Sequence, residues 1–193
     1  MVPTNKPGVL ILIVAPSGTG KSTLIKKLKT DFPILVESIS YTTRPKRPGD
    51  VHGVQYFFVE QSEFLSMRDT GEFLEWAQVH TNFYGTSKKF VEEQMEAGKS
   101  LLFDLDVQGA DSFKKHFGKK VNIIFIAPPS VEELEKRLRL RGTDSDEVIR
   151  VRLANARKEL LKKDSYDYCV KNDEFDRAYT ELKSIVGNIV KGK

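Results

Sequence analysis

Residues 9–23 read VLILIVAPSGTGKST, and this stretch decides the fold. An unbroken apolar run is followed by a turn of small residues, and an amphipathic segment begins at Leu24. This is the order of a buried strand, a loop and a helix. Residues 15–22 fit the pattern G-x-x-x-x-G-K-[ST] except that Ala15 stands at the first glycine position. Such a loop directs backbone N–H groups and the positive end of a helix at an anion, which predicts a phosphate site rather than an ordinary glycine-rich turn. We expect Lys21 to reach the outer phosphates and Ser22 to bind Mg²⁺.

The composition is that of an ordinary globular domain, with 193 residues, 39% hydrophobic and 30% charged. No apolar run approaches the roughly 20 residues of a membrane span, and residues 1–8 lack a signal-peptide pattern. The single cysteine, Cys169, is expected to be buried in a strand and fits a reducing compartment. A net charge of +4 suits an anionic ligand without predicting a nucleic-acid tract. We therefore expect a cytoplasmic protein with no nucleic-acid or membrane partner, while the oligomeric state stays open.

Strands alternate with helices along most of the chain, which predicts an α/β fold: a parallel sheet of the P-loop NTPase type with helices on both faces. Between two such units, residues 38–86 are rich in strands and loops, including a strand at 54–59 and a turn at 82–86. Two charged helices follow Pro128 and Pro129, and the first opens with a capping box of Ser130 and Glu133. The predicted organisation is a core of residues 1–37, 87–129 and 163–193, a small insertion of residues 38–86 and a helical lid of residues 130–162.

Two acids lie at the carboxyl end of the strand predicted at 101–106 and are expected near the phosphate loop. In a parallel sheet, ligands bind beyond the carboxyl ends of the strands, so Asp104 and Asp106 should share one edge with the loop. Asp106 could hold a Mg²⁺-bound water near Ser22 or pair with Lys21, as phosphoryl transfer requires. The alternative is that one of the two acids caps the following helix.

The two charged helices carry several arginines, of which Arg137 and Arg141 share a face because they are four residues apart. Arginine binds phosphate oxygens in a forked geometry. The pattern predicts a hinged helix pair that closes over a triphosphate and excludes water. The alternative is a solvated face on which each arginine pairs with a neighbouring glutamate.

Several short motifs together resemble the guanylate kinase family, in the family's order and from about residue 9 to the end. They are APSGTGKST (15–23), TTRPKRPGD (42–50), YFFV (56–59), FLEWA (73–77), YGT (84–86), DLDVQG (104–109), IAPPS (126–130) and RGT (141–143). The resemblance implies a core, a GMP-binding insertion and a mobile lid. It also implies Mg²⁺-dependent transfer of a phosphoryl group from ATP to GMP, in purine nucleotide metabolism.

The resemblance further implies a role for individual residues. The expected GMP-binding residues are Ser40, Arg44, Arg47, Tyr56, Glu75, Tyr84, Thr86 and Asp104. The residues expected around the transferring phosphoryl group are Lys21, Arg44, Arg137, Arg141 and Arg152. ATP would be held by Ala15, Pro16, Ser17, Gly18, Thr19, Gly20, Lys21, Ser22, Thr23 and Asn172. Mg²⁺ would be held by Ser22 and, through water, by Asp106.

Guanine chemistry fits this assignment of the base reader. A carboxylate such as Glu75 can accept from guanine N1–H and N2–H₂, and a hydroxyl such as that of Ser40 or Thr86 can donate to O6. Adenine offers no such paired donors, and losing a hydrogen bond to a charged group costs about 1.5–3 kcal/mol. Without the resemblance, Glu75 would be read as a surface acid beside Trp76.

Three features of the sequence allow more than one interpretation. Asp50 stands where the family often has Glu, so its contact with the arginine loop, the loop that carries Arg44 and Arg47, or with GMP is open. Asn172 could be an ordinary turn residue. A catalytically silent guanylate-kinase-like interaction module is the main alternative function, and a phosphate-loop hydrolase or a kinase for another nucleotide is a third. Lys21, Ser22 and the lid arginines favour the enzyme.

Overall fold

The computed structural model describes residues 8–79, 81–140, 142 and 144–192, and it shows two β-sheets in this part of the chain. The strands are β1 (Leu10–Val14), β2 (Leu35–Glu37), β3 (Tyr41–Thr42), β4 (Phe57–Phe58), β5 (Phe73–Val79), β6 (Asn82–Ser87), β7 (Ser100–Leu105), β8 (Val121–Ala127) and β9 (Tyr168–Lys171). The helices are α1 (Lys21–Asp31), α2 (Gln61–Asp69), α3 (Lys88–Glu96), α4 (Val107–Phe117), α5 (Val131–Leu140), α6 (Asp146–Leu160) and α7 (Phe175–Lys191).

Within the described residues, five strands form a parallel sheet in the order β2-β7-β1-β8-β9. Strand β1 is central, and its side chains alternate between two cores. Leu10 and Leu12 pack with α3 and α4, whereas Ile11 and Ile13 pack with α1 and α7. Because both faces of β1 are covered, an unbroken apolar run is what this position requires. The predicted α/β sheet with helices on both faces is confirmed.

The smaller sheet has the order β4-β3-β6-β5 among the residues that the structure describes, and its core contains Phe64, Phe73 and Phe83. The predicted turn at 82–86 is wrong, because these residues belong to β6, which pairs with β5. Position 85 leaves little room for a side chain, because a Cβ on Gly85 would lie 3.0 Å from the Phe73 ring and 3.1 Å from the Phe64 ring. The predicted strand at 54–59 is reduced to Phe57–Phe58.

The helices α5 and α6 pack against each other around a small core of their own, which includes Leu134, Leu138 and Leu153. The capping box is confirmed on one side, since the Glu133 N–H donates to Ser130 Oγ at 3.1 Å. Cys169 lies in a strand as expected, but it is exposed rather than buried, because β9 is an edge strand of the sheet. None of the helices in the described ranges is long and apolar enough to cross a membrane.

Candidate active site

The carboxyl edge of the parallel sheet collects the predicted site residues. The phosphate loop follows β1, Asp104 and Asp106 mark the end of β7, and Asn172 follows β9. The segment 38–40, which leads into the small sheet, follows β2. All these strands run in the same direction, so their carboxyl ends meet along one side of the molecule.

The phosphate loop is held in shape by two glycines and a buried threonine. Gly18 and Gly20 have φ values of 95° and 89°, which only glycine adopts at low cost. The Thr19 hydroxyl is fully buried and donates to the Pro16 carbonyl at 3.0 Å. The loop lines a cavity of about 370 Å³. Its walls are residues 15–23 together with Asp104, Asp106 and Glu159.

Lys21 is engaged by acceptors at the end of β7. Its Nζ donates to the Leu105 carbonyl at 2.7 Å and lies 2.5 Å from Asp104 Oδ1. The possibility that Lys21 pairs with Asp106 is therefore wrong. Asp106 instead caps α4, with Oδ1 accepting from the Gly109 N–H at 2.8 Å. Capping uses one oxygen of the carboxylate and leaves the other for a further partner.

A second cavity, of about 690 Å³, lies on the other side of Asp104. Ser40, Tyr56 and Thr86 line it, and Asp104 belongs to the walls of both cavities. Two ligands placed in these cavities would therefore meet at Asp104 and its partner Lys21. Such a shared wall suits the transfer of a group from one ligand to the other.

Glu75 is joined to the wall of this second cavity through a short hydrogen bond. Glu75 and Thr86 are opposite each other in the β5–β6 hairpin, and the Thr86 hydroxyl donates to Glu75 Oε1 at 2.6 Å. Burial raises the pKa of Glu75, and the Asp106 charge raises it further, while the hydrogen bonds from Thr86 oppose the shift. Because the Thr86 hydroxyl donates its one hydrogen bond to Glu75, it can only accept a hydrogen bond from a ligand. Ser40 is then the remaining candidate donor to a guanine O6.

The arginine loop is anchored by Asp50. Its Oδ2 lies 2.8 Å from Arg44 Nη2 and also accepts from the Arg47 N–H at 2.8 Å. The Arg47 N–H and the Arg44 guanidinium together lower the pKa of Asp50. These two bonds establish the contact of Asp50 with the loop that carries Arg44 and Arg47. Arg44 in turn lies over the ring of Tyr56, with 5.5 Å between its guanidinium carbon and the ring centre.

The structure brings some of the predicted GMP-binding residues together and leaves one apart. The Tyr84 ring lies 5.8 Å from the Tyr56 ring, which lines the second cavity. The side chain of Arg47, by contrast, is exposed and is not among the residues that line this second cavity.

The helices α5 and α6 lie on the outside of the phosphate loop. Arg152 Nη1 donates to Ser17 Oγ at 3.1 Å, and Arg137 Nη1 donates to the Asn172 carbonyl at 3.1 Å. Both arginines thus contact the loop region, and Arg137 Nε also lies 3.5 Å from Glu133, as the alternative of neighbouring ion pairs expects. Arg141 lies outside the described residues.

Two acids near the loop were missed by sequence reasoning. Glu159, on α6, lines the phosphate cavity, and burial and Asp106 raise its pKa, while Lys21 opposes this shift. Asp144 lies 3.4 Å from Arg152. Both acids occur in charged segments where many side chains are equivalent in sequence, so no pattern singles them out.

The oxygen-rich wall of the phosphate cavity fits a magnesium ion, which prefers oxygen ligands. Ser22 presents an exposed hydroxyl on the first turn of α1, beside Asp104, Asp106 and Glu159. In the described ranges no group of three or more His, Cys, Asp or Glu side chains could hold a metal ion. The ion would therefore take most of its ligands from nucleotide phosphates and water. His52 and His116 have protein partners instead, the Phe58 N–H and Glu92; His80 lies outside the described residues.

The strand–loop–helix phosphate site, the second polar cavity and the arginine-bearing helix pair define a phosphate-loop protein with two neighbouring ligand sites, an arrangement typical of nucleotide kinases. The family model described as guanylate kinase matches residues 7–189. A guanylate kinase of Geobacter sulfurreducens is 50% identical over 94% of this chain and 89% of the relative. One of Nitratidesulfovibrio vulgaris is 48% identical over 93% of this chain and 86% of the relative.

A solved structure agrees with these matches. The crystal structure of guanylate kinase from Anaplasma phagocytophilum is 34% identical, with a TM-score of 0.68, and covers 97% of this chain and 86% of the other. The chain belongs to the guanylate kinase family.

Proposed function

We propose that this chain transfers the γ-phosphoryl group of ATP to GMP, giving ADP and GDP. The observation that carries the proposal is the position of Asp104 on the walls of both cavities, with Lys21 bound to it. ATP would place its phosphates on the loop of residues 15–23, and GMP would occupy the larger cavity. The GMP phosphate oxygen is already anionic, so the protein mainly positions the two nucleotides and neutralises charge.

The acceptor site reads guanine through Glu75. Its half-buried carboxylate accepts from N1–H and N2–H₂, Ser40 donates to O6, and the Thr86 hydroxyl orients the carboxylate. Arg44, held by Asp50, lies beside Tyr56 and Tyr84 and would bind the GMP phosphate. Arg47, whose side chain is exposed, would have to turn inward to join them.

The donor site holds ATP with Mg²⁺. Ser22 would bind the ion directly and Asp106, after capping α4, would hold an ion-bound water with its second oxygen. The ion would neutralise charge on the phosphates of ATP. Lys21, Arg137, Arg141 and Arg152 would surround the transferring group, and Lys21 would leave Asp104 for the phosphates.

We extend the proposal to the organisation of the chain. Residues 38–86 would form the GMP-binding unit and residues 130–162 a lid, around a core of residues 1–37, 87–129 and 163–193. The separate small sheet and the separate core of α5 and α6 support this division. Closure of the lid would exclude water from the phosphates and so prevent hydrolysis of ATP. A cytoplasmic setting is part of the proposal, since the exposed thiol of Cys169 fits a reducing compartment.

Coupled detection of ADP release, with ATP, Mg²⁺ and each nucleoside monophosphate in turn, tests the function. We expect kcat/KM for GMP to exceed that for AMP by at least about tenfold, because AMP leaves Glu75 without its donors. A Lys21→Ala protein purified in the same way controls for contaminating kinases. Folded protein without GMP-dependent turnover would refute the enzyme and favour the silent interaction module.

A further inference from the structure

Asn172 is a buried residue that forms a hydrogen bond with the backbone of the phosphate loop. It is only 6% exposed, and its N–H donates to the Ala127 carbonyl at 2.8 Å, which fixes it to the end of β8. Its side-chain Nδ2 donates to the Thr19 carbonyl at 2.6 Å. The amide group thus lies against the backbone of the loop, and the carboxamide has a protein partner.

Peptide geometry links this contact to the phosphate cavity. The described chain has no cis peptide bond, so the Thr19 carbonyl and the Gly20 N–H point in opposite directions. Asn172 is not among the residues that line the phosphate cavity, so by holding the Thr19 carbonyl away from the cavity it holds the Gly20 N–H toward it. Gly20 lines the phosphate cavity, and its φ of 89° is a value that glycine adopts at low cost. Because glycine has a permissive backbone, a hydrogen bond such as that of Asn172 is needed to fix the orientation of this peptide unit.

The fit between Asn172 and the loop is close, and it extends to α5. A Cβ at Gly20 would lie 2.8 Å from Asn172 Nδ2, so a larger residue there would displace the amide. The main-chain carbonyl of Asn172 accepts from Arg137 at 3.1 Å. The same residue therefore contacts the loop with its side chain and an arginine of α5 with its backbone.

We propose that Asn172 is a positioning residue that aims the Gly20 N–H at the donor phosphates, rather than a residue that binds the adenine base. The proposal rests on the donor site proposed above, in which the loop of residues 15–23 binds the phosphates of ATP. It differs from a base contact in one measurable respect. A loop-positioning residue acts on every ligand that carries the phosphates, whereas a base contact acts only on ligands that carry the base.

Calorimetric titration with Mg²⁺–ATP and with Mg²⁺–tripolyphosphate, which has phosphates but no base, separates the two roles. Asn172→Ala should weaken both ligands by about tenfold, the usual loss for one hydrogen bond of this kind. Asn172→Asp should weaken both further, because a carboxylate would face the Thr19 carbonyl. Asn172→Ser, which keeps a hydroxyl donor in a smaller side chain, should lie between Ala and the unaltered protein. Asn188→Asp, an exposed change on α7, should alter neither ligand.

The outcomes are distinct. GMP affinity, measured on the same samples, should be unchanged and reports that each variant is folded; if Asn172→Asp fails this test, the Ala and Ser variants decide. Loss of ATP affinity with unchanged tripolyphosphate affinity would make Asn172 a base contact and overturn the inference. Unchanged affinity for both ligands would also overturn it. If the unaltered protein bound GMP but neither ATP nor tripolyphosphate, the proposed donor site itself would be wrong.

Discussion

Replacing Glu75 by Gln should weaken guanine recognition while leaving the donor site intact. The change keeps the shape of the side chain but replaces one carboxylate oxygen by an NH₂ group and removes the charge. Glu75 Oε1 already accepts from Thr86 at 2.6 Å. Whichever way the amide of the variant turns, its single carbonyl oxygen cannot serve both the Thr86 hydroxyl and the two donors of guanine.

The expected loss follows from one hydrogen bond to a charged group that is half-buried. Such a bond contributes about 1.5–3 kcal/mol, so kcat/KM for GMP should fall by about ten- to a hundredfold. The Kd for ATP should not change, because Glu75 belongs to the small sheet and is not on the wall of the phosphate cavity.

Glu72→Gln is a matched control for this experiment. Glu72 also accepts from a threonine hydroxyl, that of Thr70 at 2.8 Å, but it is exposed and lies just before β5. ADP release at varied GMP concentration and calorimetry with ATP should show a defect for Glu75→Gln alone. Equal losses for GMP and ATP would show that Glu75 is a structural residue, and no loss for GMP would remove it from the base site.

The pH dependence of stability gives the same variant a second, independent readout. Burial raises the pKa of Glu75 above its ordinary value of 4.5, so the folded protein binds this proton more tightly than the unfolded chain. The ionised carboxylate therefore lowers the stability of the ligand-free protein as pH rises through the raised pKa, and this cost is absent at pH below 4.5. Glu75→Gln should raise Tm at pH 7, and the difference should shrink on acidification. A variant with a lower Tm at pH 7 would contradict this account.

Two further substitutions test the loop that carries Arg44 and Arg47 and the contact between α5 and the phosphate loop. Asp50→Asn should raise KM for GMP by about three- to tenfold, because Arg44 loses a charged partner, and Asp50→Glu should restore part of the loss; an unchanged KM for both would show that Asp50 does not orient Arg44. Gly18→Ala should weaken ATP binding and lower stability by about 1–2 kcal/mol or more, since φ is 95° and the new Cβ would lie 2.9 Å from Leu138 Cδ2. Gly118→Ala, also at positive φ but with open space around it, separates the backbone cost from the clash, and the same loss of ATP affinity in both would refute the contact argument.

The core of the fold was predictable because its sequence signals are local. The apolar run at 9–14, the glycines of the loop and the capping box of Ser130 each report on their own neighbourhood. The turn predicted at 82–86 was wrong because Asn82 and Gly85 are common in turns, and only the pairing with β5 and the rings of Phe64 and Phe73 show why they lie in a strand. The pairing with the neighbouring strand and the packing against Phe64 carry that information, and residues 82–86 alone do not show either of them.

The site shows the same division. The resemblance named candidate site residues, but it did not reveal which acid pairs with Lys21. Asp104 and Asp106 are two residues apart, and the end of β7 decides that the first pairs with the lysine while the second caps α4. The contact of Asn172 with Thr19 spans 153 positions, so nothing local in the sequence indicates it.

The ion pair of Lys21 with Asp104 has a consequence for the selection of anions. Lys21 is already paired with the Asp104 carboxylate and donates to the Leu105 carbonyl before any ligand arrives, so a small anion can bind Lys21 only by competing with Asp104. Inorganic phosphate would have to displace Asp104 with a single group. A polyphosphate chain makes many contacts with the loop at once, and these contacts offset the loss of the ion pair between Lys21 and Asp104. We therefore expect Asp104 to disfavour the binding of small anions such as inorganic phosphate relative to a nucleoside triphosphate.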